Sequence, residues 1–245
     1  MMPSRALEDY LKIIYKLSEP APGEDAKAFD DAWVQTSTIA ERMQLSQASV
    51  SKMLKKLAEK ALIEHKPYHG VRLTQAGREV ALGLIRKHRI LEAYLVEKLN
   101  YDWDEVDAEA EVLEHSISDK LAHQMWLALG KPTHDPHGSP IPTEDFELPD
   151  EPWRALSTVE EGSEVTVQRI LNGQPEALRY LQSLGVTMGQ RLKVLEKAPL
   201  SGPLTIEVKG SGESGLDLTA TPNVLDRALA ASVFVDVIDA TEESA

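Results

Sequence analysis

Three side chains with metal-ligand chemistry stand together in the stretch EVLEHSIS: Glu111, Glu114 and His115. At i, i+3 and i+4 they share one face of a helix, so their donor atoms can meet at a point. Asp107 lies one turn before Glu111, and Asp9 adds a carboxylate near the N-terminus. Upstream, His88 and Glu92, at i and i+4, interrupt an apolar face around Leu84, Leu91 and Leu95. Imidazole and carboxylate groups converging from several helices suit a divalent cation, because buried like charges need a counter-ion. The alternative for the triplet alone is a solvated acidic face with an incidental histidine. No nucleophile, base and orienting group stand out. Carboxylate-bridged di-metal enzymes use Glu-x-x-His pairs, whereas three residues before His115 stands Val112. The chain is therefore not expected to be an enzyme.

A second set of residues suits DNA. Ser46, Gln47, Ser49, Ser51 and Lys52 stand at the start of a short amphipathic segment with Val50, Met53, Leu54 and Leu57 along its apolar side. Thr36 or Ser37 caps a preceding segment through Met43, and Leu45 to Ser46 makes a tight turn. That is the pattern of a helix-turn-helix, whose second helix brings small polar side chains to base edges and lysines to phosphates. Thr36, Ser37 and Thr38 are further candidates for DNA contact. LIEHKPYHGVRLT then alternates around Pro67 and Gly70 as a hairpin wing, carrying Lys66 and Arg72.

Net charge tests this reading. At −14, with a pI near 5.0, the 245-residue chain lacks the overall basic footprint of a polyanion binder. The charge is partitioned, however. Between residues 46 and 74, Lys52, Lys55, Lys56, Lys60, Lys66 and Arg72 outnumber Glu59 and Glu64, whereas DWDEVDAEAEVLE at 102–114 holds only acids among its charged residues. There is no cysteine, which excludes disulfides and thiolate ligands. No run approaches a membrane span, and a cytoplasmic location without membrane association is expected.

The positioning elements follow from periodicity. Residues 4–18 read as an amphipathic helix, SEPAPGEDAKAFDD as a loop, 75–99 as one long helix and 103–129 as another, the last two suited to a dimerisation layer. Six prolines between Gly130 and Trp153 exclude regular structure there. EVTVQRIL, QRLKVLEK, LTIEVKG and SVFVDVI then alternate as the strands of a small β-barrel. The fold class is thus a mainly α N-terminal two thirds, with a winged helix-turn-helix and a helical dimerisation domain, followed by a small all-β domain. Expected domains are 1–74 for DNA binding, 75–140 for metal binding and dimerisation, 141–154 as linker and 155–245 as the barrel.

In this order and spacing, LEDYLKIIY, IAERMQLSQASVSKMLKKL, RKHRILEAYL, EVLEHSISD and GKPTHDPHGSPIP resemble the diphtheria toxin repressor and manganese transport regulator family of metal-dependent transcriptional repressors. LGVTMGQRLKVL resembles the SH3-like domain of its longer members, also found alone in ferrous-iron transport accessory proteins. The resemblance implies a primary metal site at Asp9, Glu111, Glu114 and His115, with His88 joining in manganese-type members, and an ancillary site at His88, Glu92 and Asp107. The chain departs from the manganese-type pattern at Lys12, where those members carry a second acidic ligand, and from the iron-type pattern at Glu111, where those have cysteine. Oxygen and imidazole donors favour Mn²⁺, with Fe²⁺ next.

The implied partners are double-stranded operator DNA and a second copy of the chain, with no organic cofactor. The implied mechanism is that metal joins the DNA reader to the dimerisation helices and so fixes the separation of the two recognition helices. A winged-helix regulator of a small organic ligand is the competing function.

Overall fold

The computed structural model describes residues 4–19, 32–149, 151–171, 173–209 and 222–238. Most of the SEPAPGEDAKAFDD loop lies outside the described residues. Those of 1–91, 110–133 and 141–150 form one compact unit, and those of 92–109, 134–140 and 151–245 a second. Among them no helix is long and apolar enough to cross a membrane.

In the first unit, helix α1 (Arg5–Ser18) buries Leu7, Tyr10, Leu11, Ile14 and Tyr15, a helical stripe that anchors the core. Helix α2 (Thr36–Met43) ends at Gln44 in the left-handed conformation, and α3 (Gln47–Glu59) begins at once. Ser46 caps α3 by accepting a hydrogen bond from the Ser49 N–H. The expected cap of α2 at Thr36 or Ser37 is not formed. The helix starts one residue earlier, at an extended Gln35 whose side chain instead donates to the His69 carbonyl. The reason lies in Val34, which exchanges both backbone hydrogen bonds with Val71 and so delivers the chain to α2 in extended form.

Strands β1 (Ile63–Lys66) and β2 (Gly70–Leu73) make the wing, with Ile63 opposite Leu73 and Lys66 opposite Gly70. Gly70 has φ +103°, and a Cβ there would lie 2.1 Å from the Val34 carbonyl oxygen, so only glycine lets Val34 add to the hairpin. Val50, Leu54 and Leu57 of α3 close the core between α1, α2 and the wing.

The single helix expected over 75–99 is α4 (Gln75–Leu99). The single helix expected over 103–129 is two, α5 (Val106–Leu113) and α6 (Asp119–Ala128). The break arises because Ser118 is extended and caps α6, accepting from the Leu121 N–H. Glu114, His115 and Ser116 therefore lie in turns rather than in helix. Glu114 N still bonds Ala110 O and Ile117 N bonds Leu113 O, so the helical spacing of the stripe persists one turn past the helix end.

The second unit carries an antiparallel six-stranded sheet with the order β3-β8-β4-β5-β6-β7, the SH3-like element. Its strands are β3 (Arg154–Ala155), β4 (Glu164–Ile170), β5 (Arg191–Lys197), β6 (Leu204–Val208), β7 (Asn223–Leu225) and β8 (Val233–Val237). Alternation puts Val165, Val167, Leu192, Val194, Leu204, Ile206, Val233 and Val235 in one core, joined by Leu178 and Leu181 of helix α7 (Pro175–Ser183). Helices α7 and α8 (Arg227–Ala231) interrupt what reads in sequence as strands and turns alone.

The HDPHGSP segment is bound to this sheet. Ile170 N donates to the His137 carbonyl, and the Asp135 carboxylate accepts from the N–H groups of His137 and Ser139. Gly138, with φ +81°, approaches so closely that a Cβ would lie 2.0 Å from the Gln168 carbonyl oxygen. Gly162 has a similar φ of +84° but open space around it. In urea unfolding, Gly162→Ala should cost about 1 kcal/mol for the backbone alone, and Gly138→Ala at least about 2 kcal/mol. Equal costs would mean that the close approach carries no energy.

Candidate metal centre

Three elements of the first unit converge on Glu114. Helix α1 supplies Glu8, Asp9 and Lys12, helix α4 supplies His88, and α5 with the turn after it supplies Glu111, Glu114 and His115. The Glu114 carboxylate is fully buried. Burial by itself pushes its pKa up, but the hydrogen bond from His88 and the charge of Lys12 outweigh that and leave it below the ordinary glutamate value. His88 Nδ1 stands 2.7 Å from Glu114 Oε2, and Lys12 Nζ stands 2.7–2.8 Å from both Glu114 oxygens.

On the other side of Glu114 lies a differently charged arrangement. His115 Nδ1 is 2.8 Å from Glu8 Oε2, while His115 Nε2 is 2.7 Å from Asp9 Oδ1 and 3.4 Å from Glu114 Oε1. Despite that proximity Nε2 is not aligned for a hydrogen bond, and it is a buried ring nitrogen without a hydrogen-bond partner. With Nδ1 turned to Glu8, Nε2 is the ring atom that faces the Asp9 and Glu114 carboxylates. Desolvation raises the Asp9 carboxyl above the ordinary aspartate value, against the lowering effect of His115.

The donor atoms of Asp9, Glu114 and His115 all lie within 4.8 Å of one another, as do those of His88, Glu111 and Glu114. Oxygen and imidazole donors arranged around an orphaned Nε2, with a carboxylate orienting the ring from behind, fit a divalent cation.

A second group lies in the other unit. Glu92, Asp135 and His137 bring their donors within 4.8 Å of one another, and a carboxylate oxygen of Asp107 lies equally near one of Glu92. His137 Nε2 is held by the Trp103 carbonyl at 2.7 Å, which leaves Nδ1 toward Glu92 at 3.5 Å. Of the sequence-expected trio, Glu92 and Asp107 lie in this unit and His88 in the first, where it bonds Glu114. Asp135 and His137 escape a sequence reading because HDPHGSP has no helical or strand spacing that would bring its side chains together. The available signal was an Asp-x-His spaced by a proline and followed by glycine. Glu8 escapes it too, and Lys12 enters only as a departure from the manganese-type pattern, although Glu8, Asp9 and Lys12 form an i, i+1, i+4 charged stripe on α1.

The DNA-reading candidates lie at the starts of α2 and α3 and on the wing. Ser37, Thr38, Ser46, Gln47, Ser49, Ser51, Lys52 and Lys66 are exposed, and Thr36 and Arg72 partly so. Ser46 and Ser49 bond each other at 2.9 Å. Arg72 is paired to Glu64 at 2.9 Å and lies over the Trp33 ring, with Lys66 near the same ring. Trp33 as the mount of both wing cations has no signal in the sequence.

Comparison with known proteins agrees with this geometry. Residues 2–71 match the N-terminal DNA binding domain of iron dependent repressors, 74–143 their metal binding and dimerisation domain, and 154–237 the FeoA domain. The iron-dependent repressor IdeR of Mycobacterium tuberculosis is 29% identical over 215 residues, covering 83% of this chain and 88% of that protein. The diphtheria toxin repressor of Corynebacterium efficiens is 28% identical over 202 residues, covering 78% and 83%. Among solved structures, a manganese-dependent transcriptional repressor in complex with manganese superposes with a TM-score of 0.82 at 36% identity, covering 95% of this chain and all of that one. The manganese regulator SloR gives 0.72 at 32% identity, covering 97% and all of its chain. With a reader, a ligand-bearing helical layer and a FeoA-type sheet in the same order, the chain belongs to the diphtheria toxin repressor and manganese transport regulator family of metal-dependent transcriptional repressors.

Proposed function

We propose that this chain is a manganese-responsive repressor of metal-uptake genes that binds operator DNA as a homodimer. Asp9, Glu111, Glu114 and His115, with His88 bonded to Glu114, form its primary centre. Glu92, Asp107, Asp135 and His137 form a second. The observation that carries this reading is the buried His115 Nε2, without a hydrogen-bond partner and facing the carboxylates of Asp9 and Glu114. A bound divalent ion supplies the positive charge that those groups lack. Glu8 orients the ring, and Asp9 ties the centre to α1, which packs directly on the reader core. Donors without sulfur support Mn²⁺ over thiophilic ions, with Fe²⁺ as the alternative.

DNA contact rests on the exposed hydroxyls and amide at the start of α3 for base edges, and on Lys52 and Lys66 for phosphates. The ligands and the reader are coupled through α1, so reciprocity requires operator DNA to tighten metal binding by the factor with which metal tightens DNA binding.

Duplexes selected from random DNA in the presence of Mn²⁺ should bind tightly with Mn²⁺ and weakly with EDTA, as read by fluorescence anisotropy. Asp9→Asn should abolish the difference. Affinity should fall steeply between 50 and 200 mM salt, and Lys66→Ala should reduce the slope of log K against log salt by about 1. Binding indifferent to metal would overturn the reading.

Protons compete with the ion at Asp9. Its carboxyl must ionise, and the pKa is raised, so manganese affinity should be complete above that raised value and fall as the pH drops through it. Isothermal titration across the acidic range should show the loss starting at higher pH than an ordinary aspartate allows. In metal-free protein the same raised pKa destabilises the fold once the pH exceeds it. Asp9→Asn should therefore raise the thermal midpoint in EDTA while removing the stabilisation by Mn²⁺, which is about 2.7 kcal/mol at a hundredfold excess over Kd.

A further inference from the structure

Lys12 is a lysine with 3% of its side chain exposed, placed among the very groups expected to hold metal. Its Nζ lies 2.7 Å from Glu111 Oε2, 2.8 Å from Glu114 Oε1, 2.7 Å from Glu114 Oε2 and 3.2 Å from His88 Nδ1. The three shortest contacts match the three protons of an ammonium. Among the described residues, its hydrogen-bond and ion-pair partners all belong to this group.

The geometry points to Lys12 as a built-in cation that fills the His88–Glu111–Glu114 half of the centre, so that the centre takes one divalent ion, at Asp9, Glu114 and His115, instead of two. This inference rests on the reading of the centre as a manganese site. The two ligand clusters share Glu114, and each is compact enough for a single cation. In the first cluster that cation belongs to the chain. His88 Nδ1 lies 2.7 Å from Glu114 Oε2 and 3.2 Å from Lys12 Nζ, so it is engaged inside the same cluster. A divalent ion there would have to expel a buried ammonium. In the second cluster the only side chain within ion-pair distance of Asp9, among the described residues, is His115. There the charge deficit remains. Lys12 is thus a specificity-determining residue that sets how many ions the centre accepts.

The test is Mn²⁺ binding by the full-length chain, counted by equilibrium dialysis with elemental analysis and followed by electron paramagnetic resonance. Wild type should show only uncoupled Mn²⁺ signals, whatever the occupancy of the group at Glu92. Lys12→Glu should bind one more Mn²⁺ per chain and show an exchange-coupled pair bridged by Glu114. Lys12→Met should have a lower thermal midpoint than wild type in EDTA, because Glu114 loses its ammonium. A coupled pair in wild type would overturn the inference without any variant. So would a Lys12→Glu chain with unchanged stoichiometry, or a Lys12→Met chain as stable as wild type without metal. An Asp9→Asn chain that still binds as many ions as wild type would instead overturn the reading of the centre itself.

Discussion

A carboxylate with no exposure to water, Glu114, is the constraint around which the first unit is arranged. An ionised group in such a place is tolerable only when its charge is answered and its lone pairs are occupied. One answer arrives from α1 as Lys12, which donates to both carboxylate oxygens, and another from α4 as His88 at Oε2, while His115 Nε2 stands 3.4 Å from Oε1. Helices α1, α4 and α5 are thereby drawn to one point by charge, whereas Leu7, Leu11, Ile14, Val50 and Leu54 hold α1 to the reader by burial alone. Helix α1 takes part in both arrangements, which joins the Glu114 cluster to the reader core.

The acidity of the chain is distributed accordingly. The acids of 102–114 lead into Glu111 and Glu114 of the first unit, and Glu92 and Asp135 lie with His137 in the second. The lysines cluster on α3 and the wing. On the wing Arg72 is already engaged by Glu64 and Trp33, which leaves Lys66 as the exposed charge of the pair. A net charge of −14 is therefore compatible with a polyanion partner, because the two signs are concentrated in different stretches of the chain.

What the sequence conveyed depended on whether the signal was periodic or local. Helix α4 was legible from end to end because apolar residues recur at helical spacing along it on both sides of the His88–Glu92 interruption, and the wing was legible because β1 and β2 alternate around Pro67 and Gly70. The break between α5 and α6 was not, since Ile117 and Leu121 continue the apolar period across a boundary set by one capping serine. The ligands clustered at Glu111, Glu114 and His115 were visible from spacing. Lys12 was visible only as a departure from a pattern, because a lysine on an amphipathic helix ordinarily sits in water and its burial depends on partners roughly a hundred residues away. Asp135 and His137 lie among prolines that exclude regular structure, so no periodic spacing marked them as ligands before their hydrogen bonds were known.

Because one glutamate serves two neighbouring clusters, changes around it are epistatic. Neutralising Lys12 bares a buried anion, and replacing it by an acid adds another, so either step is tolerated only in cells where divalent metal is plentiful enough to compensate. Descent between centres that hold different numbers of ions must therefore pass through an intermediate whose folding depends on its surroundings. The ambient supply of metal would then decide in which lineages such a transition is open.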